Sequence, residues 1–344
     1  MYIQQSRSLR LGVSTQTQLQ HRRFAANEVN MATALDYAQF HQVFRPDVGS
    51  PYDQHLIREV EANRKSMNGL LFIDRVLKAM GITKAKVYPP RGENGLHALH
   101  QQICAAKMST HHKLSVLYYL LLDHDDAHPE RAQGAYTFAF QAGVPTKYQL
   151  FMQGLWYMDR RQFPLALEHL AHPSLLPEFS DDIITTLVHQ AENNDYSLAL
   201  AYYYAVQPVI KASETLELLF GAIARTNVIE AFNFTRAQSE PARQQLFEQL
   251  IASVLGGAAS QDITTRSSEL VGLHFDSSEE SWFHDYLTTG EGRKLKKAKD
   301  TVMMRLLVTG QYRSGLGEKQ MAGQWGVVLQ GFKQGMGGRA AYQA

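Results

Sequence analysis

A single cysteine, Cys104, stands in a chain of 344 residues, so no intrachain disulfide can form. A disulfide-stapled secreted design is excluded, and the cytosol or nucleus is indicated. Long apolar runs are scarce as well. The longest, Val116 to Leu122, stops at Asp123, far short of the roughly 20 residues that a bilayer-spanning helix needs, so membrane insertion is not expected. Charge of one sign is also missing, since 34 Lys and Arg face 33 Asp and Glu. With no global field to gather polyanions, any nucleic-acid contact must come from a local patch. Between residues 51 and 255 there is no convincing alternation of apolar and polar residues, which argues against half-buried strands.

What is present is helical period, carried by a chain that is 44% hydrophobic. Ser180, Asp181 and Asp182 open a helix whose apolar face is Ile183, Ile184, Leu187, Val188 and Ala191, because short polar and acidic side chains suit a helix N-terminus. Ser213 and Glu214 do the same for Leu216, Leu219, Phe220 and Ile223. Pro145 and Pro241 mark helix starts, and Gly81 and Gly256 mark ends, where a left-handed residue costs glycine least.

The most informative feature is a repeat. Phe163, Leu165, Ala166 and Leu167 recur as Tyr196, Leu198, Ala199 and Leu200, and more weakly as Val228, Ile229, Ala231 and Phe232. The alanines are 33 and 32 residues apart, the length of one helical hairpin. A small residue at the same place in each second helix lets neighbouring helices approach closely. Gly154, Tyr157 and Ala166 share tetratricopeptide spacing, from which Gln153 and Leu170 depart. The expected fold is all-α, an α-solenoid of stacked hairpins over residues 31–255, about a dozen helices in all. Residues 256–277 read as a Gly, Ser, Thr and Gln linker, 278–312 as a short C-terminal helical segment with a basic run, and 313–344 as a Gly-rich disordered tail. Residues 1–30 carry Arg7, Arg10, Arg22 and Arg23 against Glu28. They read as a disordered arm, a presequence, or a stretch ahead of a true start at Met31, after which Ala34, Leu35, Phe40, Val43 and Phe44 begin an amphipathic pattern.

Candidate chemistry is thin. Asp123, His124, Asp125 and Asp126 resemble the His-Asp pair of metal-dependent phosphohydrolases, but His97, His100, His111 and His112 do not supply the further ligand spacing. A solvated helix end is the preferred reading. Gly315 and Gly317 ahead of Glu318 and Lys319 lack the P-loop spacing, and Cys104 has no activating base assigned, so it reads as a buried small hydrophobe. No enzyme, cofactor or metal is expected. Two features point to partners instead. Ser277 and Glu280 form a capping box ahead of Trp282, Phe283, Tyr286 and Leu287, an aromatic helix face that docks either on a partner or back on the chain as a cap. The run Arg293, Lys294, Lys296, Lys297 and Lys299 is a solubilising stretch, an importin-read import signal, or a nucleic-acid or nucleosome contact.

Several stretches together resemble the ELYS-type nuclear pore assembly proteins. They are Leu70 to Ile82, Tyr88 to Ile103, His112 to Asp123, Leu150 to Phe179, the segment SSEESWFHDYL, and Ala298 to Tyr312. An acidic stretch, a Trp-led helix, a basic spacer and a Lys-Asp-Thr segment occur in that order in the family's helical domain. The resemblance implies a structural nucleoporin with no catalytic residues, located at the nuclear envelope. Its implied partners are the Y-shaped outer-ring complex, near the large propeller-solenoid arm subunit and the small WD-repeat subunit. The chain lacks the length of the animal form's propeller and its AT-hook tail, so it looks like the short fungal form and scaffold docking is the part expected to carry over. Rival expectations are a helical adaptor of a chaperone or proteasome-lid type, an HD-like metallohydrolase, and a nucleosome binder.

Overall fold

The computed structural model describes residues 35–45, 49–83, 87–131, 133–256, 260–310 and 324–333. The expected arm at 1–30 lies outside the described residues, as does most of the expected tail at 313–344. Among the described residues there are seventeen α-helices and no strand, so the all-α expectation holds. The chain divides into two compact units, one ending at Val209 and one beginning at Ile210. The stretch expected to be one solenoid over 31–255 is therefore cut after Val209.

The first unit holds α1 (Phe40–Val43), α2 (Gln54–Ser66), α3 (Phe72–Ala79), α4 (Gly92–Ala105), α5 (Thr110–Ala127), α6 (Gly134–Gln141), α7 (Thr146–Asp159), α8 (Phe163–Leu170), α9 (Ser180–His189) and α10 (Ser197–Val206). Its centre is α5, where Val116, Leu117, Tyr118, Tyr119 and Leu120 are all buried. A helix apolar on every side belongs inside. Helices pack on their chain neighbours: α5 on α6 and α7, α7 on α8, α9 on α10, and α8 on α10. This is the sequential pairing of a helical-repeat protein. The hairpin α7–α8 is close because Gly154 has no side chain: a Cβ there would fall 2.6 Å from Leu170 Cγ.

The second unit holds α11 (Ser213–Thr226), α12 (Val228–Arg236), α13 (Glu240–Leu255), α14 (Ser260–Val271), α15 (Ser277–Thr288), α16 (Ala298–Val308) and α17 (Gln324–Lys333). Here α13 is central and packs on α11, α12, α14 and α15. The repeated alanines fall as the period requires. Ala166, Ala199 and Ala231 are fully buried, each in the second helix of a hairpin, α8, α10 and α12.

Local expectations differ from the structure in four places. The linker expected at 256–277 is mostly α14, whose Leu270 and Val271 are buried. Its Ser and Thr content disfavours helix locally, and burial of those two side chains overrides that preference. Part of the expected disordered tail is α17, with Trp325 Nε1 donating to Asp300 at 2.9 Å. Gly81 is left-handed at φ 83°, but Gly256 is right-handed at φ −87°; glycine sits there because a Cβ would lie 2.7 Å from the Ala252 carbonyl oxygen. Pro145 is the residue before its helix, and Pro241 lies in the first turn.

Candidate interaction surface

The segment from Asp276 to Val308 brings the two sequence-flagged features onto one corner of the second unit. Asp276 caps α15 by accepting from the N–H groups of Ser278 and Glu279 at 3.0 and 2.9 Å, and Glu279 answers by accepting from Asp276 N–H at 2.8 Å. The capping box is thus Asp276 with Glu279, one residue ahead of the expected Ser277 with Glu280. Register is decided by charge. Glu279 is fully buried and takes both nitrogens of the Arg236 fork, at 2.9 and 2.7 Å, along with Arg243. Burial alone would raise its carboxyl, but the hydrogen bonds from Arg236, Arg243 and the Asp276 N–H hold it below the usual carboxylate range. Glu280 lies one position round the helix and pairs with Arg305 of α16, whose guanidinium is 3.9 Å from the Phe275 ring centroid and also donates to the Val271 and Leu273 carbonyls.

The aromatic face splits in two. Phe283 and Leu287 are buried, and Phe283 joins Phe275, which meets Phe232 and Phe247 with ring centroids 5.1 to 5.5 Å apart. These two residues belong to the unit's own core and have no free surface for a partner. Trp282 is half-buried with Arg243 over its ring at 5.6 Å. Tyr286 is half-buried over Gly292, where a Cβ would sit 2.4 Å from the phenol ring. That contact seats a short 3-10 turn, Glu291–Lys294, between α15 and α16.

The basic run sits on this turn and the start of α16. Arg293, Lys294, Lys296, Lys297 and Lys299 are all exposed, while Gly292 just before them and Ala298 among them are buried. The cations are therefore held on the outside of a folded corner rather than strung along a linker.

Sequence reasoning missed the polar core of the first unit. Asp123 is not at a solvated end. Its carboxylate is fully buried and accepts from Tyr52 and Tyr88 hydroxyls at 2.8 Å, Trp156 Nε1 at 2.9 Å and Arg160 at 3.2 Å. Burial first, then the Asp123 charge, pushes both phenols well up, so they remain donors. Asp159, also buried, accepts from the N–H groups of Phe72 and Ile73 at 2.7 and 2.9 Å and from Tyr119 at 2.8 Å. It caps α3 from another helix, because Leu71 at the cap position has no acceptor to offer. Burial raises its carboxyl to about 7 against those hydrogen bonds. Asp123 is saturated by four structural donors, two on each oxygen, which leaves no lone pair there for an HD-type metal. Cys104 is half-buried, its Sγ 3.7 Å from the Tyr37 carbonyl, and burial raises its thiol.

A family model described as ELYS, nuclear pore complex assembly, matches residues 70–290, more than half of the chain. A relative in Schizosaccharomyces pombe, the uncharacterized protein ely5, is 27% identical over 212 residues, which is 61% of this chain and 67% of that protein. The matched stretch begins at α3, crosses both units, contains Trp282 to Leu287, and ends just before the basic run.

Proposed function

This chain belongs to the ELYS family of nuclear pore complex assembly proteins, and from that membership we propose that it is a scaffold nucleoporin that docks on the Y-shaped outer-ring complex. The single observation that carries the reading is the length of the family match, which takes in helices of both units and the whole of the α15 aromatic helix. Stacked helices with sequential contacts present extended surfaces, and Asp123, the buried one of the acids that the sequence singled out, is spent on holding helices together. Among the described residues no helix is long and apolar enough to cross a membrane, so attachment to the nuclear envelope runs through protein partners. The large propeller-solenoid arm subunit and the small WD-repeat subunit are the partners we infer.

Two parts of the α15–α16 corner have separate roles in this reading. Trp282 and Tyr286, half-buried over their own unit, complete its outer face. The exposed cations Arg293, Lys294, Lys296, Lys297 and Lys299 meet an acidic partner. An import receptor that reads an extended strand must first unwind the 3-10 turn holding Arg293 and Lys294, whereas a rigid chromatin or scaffold surface need not.

Affinity purification of the tagged chain with mass spectrometry tests the assignment. The expected outcome is recovery of outer-ring nucleoporins, with a nuclear-rim signal for the fluorescent fusion. Recovery of chaperone or proteasome-lid subunits without nucleoporins overturns it in favour of an adaptor of another assembly. Charge reversal of the five cations, with nuclear accumulation and chromatin retention measured separately, shows which acidic partner they serve.

A further inference from the structure

The exposed cations of the α15–α16 corner border a groove that the second unit leaves open. It holds about 310 Å³ and is lined by residues of α14, α16 and α17. Ile263, Met304, Trp325 and Val328 give it apolar walls, Asp300 lies among them, and the exposed Lys297 belongs both to the groove and to the basic run. Helix α17 covers it only in part. Trp325 is half-buried and donates to Asp300, whereas Val327 is 73% exposed and Val328 41%. A concave site with apolar walls and a few polar groups at its margin has the make-up of a recognition site.

Charge complementarity selects the occupant. Arg236, Arg243 and Arg305 of the same unit are each paired with a carboxylate, whereas none of Arg293, Lys294, Lys296, Lys297 and Lys299 makes an ion pair among the described residues. The acids of the same stretch, Glu291 and Asp300, are too few to balance five cations, and Asp300 already holds Trp325. Helix α16 starts behind Lys297, whose side chain caps none of its N–H groups. The positive end of the helix therefore adds to the cations, a placement that costs the helix stability and favours an anion. A nucleic-acid backbone would use the cations and leave the apolar walls unused, and Asp300 repels a phosphate that enters the groove. A flat lipid surface cannot fill a concave site. A peptide segment with apolar anchors along one side and carboxylates beside them satisfies both halves.

We propose that this groove and its basic border bind an acidic amphipathic helix of a protein partner, its apolar anchors seated against Met304 and Val328 and its carboxylates over the five cations. This binding mode rests on the assignment of the cations to an acidic partner, and adds the apolar anchors that such a partner must carry.

A fluorescein-labelled synthetic peptide of about four helical turns, with Leu at i, i+3, i+4 and i+7 and Glu on the flanks, tests the site by fluorescence anisotropy on the full chain. Saturable binding is expected, weakening as salt rises. Val328→Asp and Lys297→Glu, both at exposed positions, should each weaken it about tenfold or more, with folding verified by circular dichroism. Lys107→Glu, an exposed position in the first unit, should leave binding unchanged. The same peptide with Ala at the Leu positions should also bind about tenfold more weakly or worse. Equal affinity for the Ala version would overturn the groove by showing that charge alone is read, and absence of saturable binding by the Leu peptide would overturn it equally. Tighter binding of single-stranded DNA or of phosphatidylserine vesicles, indifferent to Val328→Asp, would assign the corner to a polyphosphate or a lipid surface instead. The assay contains no nucleoporin, so its failure leaves the outer-ring assignment standing, and a purification that recovers no nucleoporin leaves the groove standing.

Discussion

Asp123 shows how much one side chain can hold. Its donors lie 71, 35, 33 and 37 residues away along the chain, so a single carboxylate ties together the segment before α2, the one before α4, and α7. Arg160 extends the tie to Glu59 and Asp126 at 3.2 Å. Removing the acceptor leaves three buried neutral donors unpaired and takes from the largely buried Arg160 guanidinium its one buried carboxylate partner. Asp123→Ala should therefore cost about 3–5 kcal/mol, as breaking a buried ion pair does, with Asp123→Asn costing less because it keeps one acceptor oxygen. Urea unfolding followed by circular dichroism measures both, and a loss within ~0.5 kcal/mol of wild type, typical of a surface substitution, would contradict the keystone role. None of this was legible in the sequence. Locally Asp123 is an acid following seven apolar residues, which is how a solvated helix end also looks.

At the scale of the element, α15 was legible as an amphipathic aromatic helix but not in its register or its anchoring. Spacing identifies Trp282, Phe283, Tyr286 and Leu287 as one face, and only packing separates the buried Phe283 and Leu287 from the half-buried Trp282 and Tyr286. The helix is pinned through Glu279 to Arg236 of α12 and Arg243 of α13, a linkage with a pH signature. The folded carboxyl titrates below its ordinary 4.5. Its contribution is fully present above about pH 4.5 and is lost as pH falls through the lower folded value. Thermal melts across that acid range should show Glu279→Gln less stable than wild type at neutral pH and with a flatter acid limb. Parallel curves would mean that Glu279 is not a proton-linked contact. Helix α14 marks the opposite limit of local reading. Its composition is that of a linker, and its place against α13 and α16 is what makes it a helix.

For the whole molecule, each unit has its own buried core, α5 and its neighbours in one and the Phe232, Phe247, Phe275 and Phe283 cluster in the other. A unit with its own core is a candidate for autonomous folding, so residues 35–209 expressed alone should melt cooperatively with helical circular dichroism. A helical but non-cooperative melt would show that this unit depends on the rest of the chain. The sequence by itself determined that the chain is helical, that it can form no intrachain disulfide, that hairpins recur with a period near 33 residues, and that it resembles the ELYS family. Each of these rests on the order of side chains over a few turns or one hairpin, which short-range sterics and apolar periodicity translate directly into helices. Only the tertiary structure decided that Asp123 and Asp159 are interior acceptors, that the linker is a helix, and that the chain divides after Val209. Those outcomes depend on which donors, rings and apolar faces arrive from tens of residues away, and the burial that joins them changes the energy of a polar group more than its local sequence does.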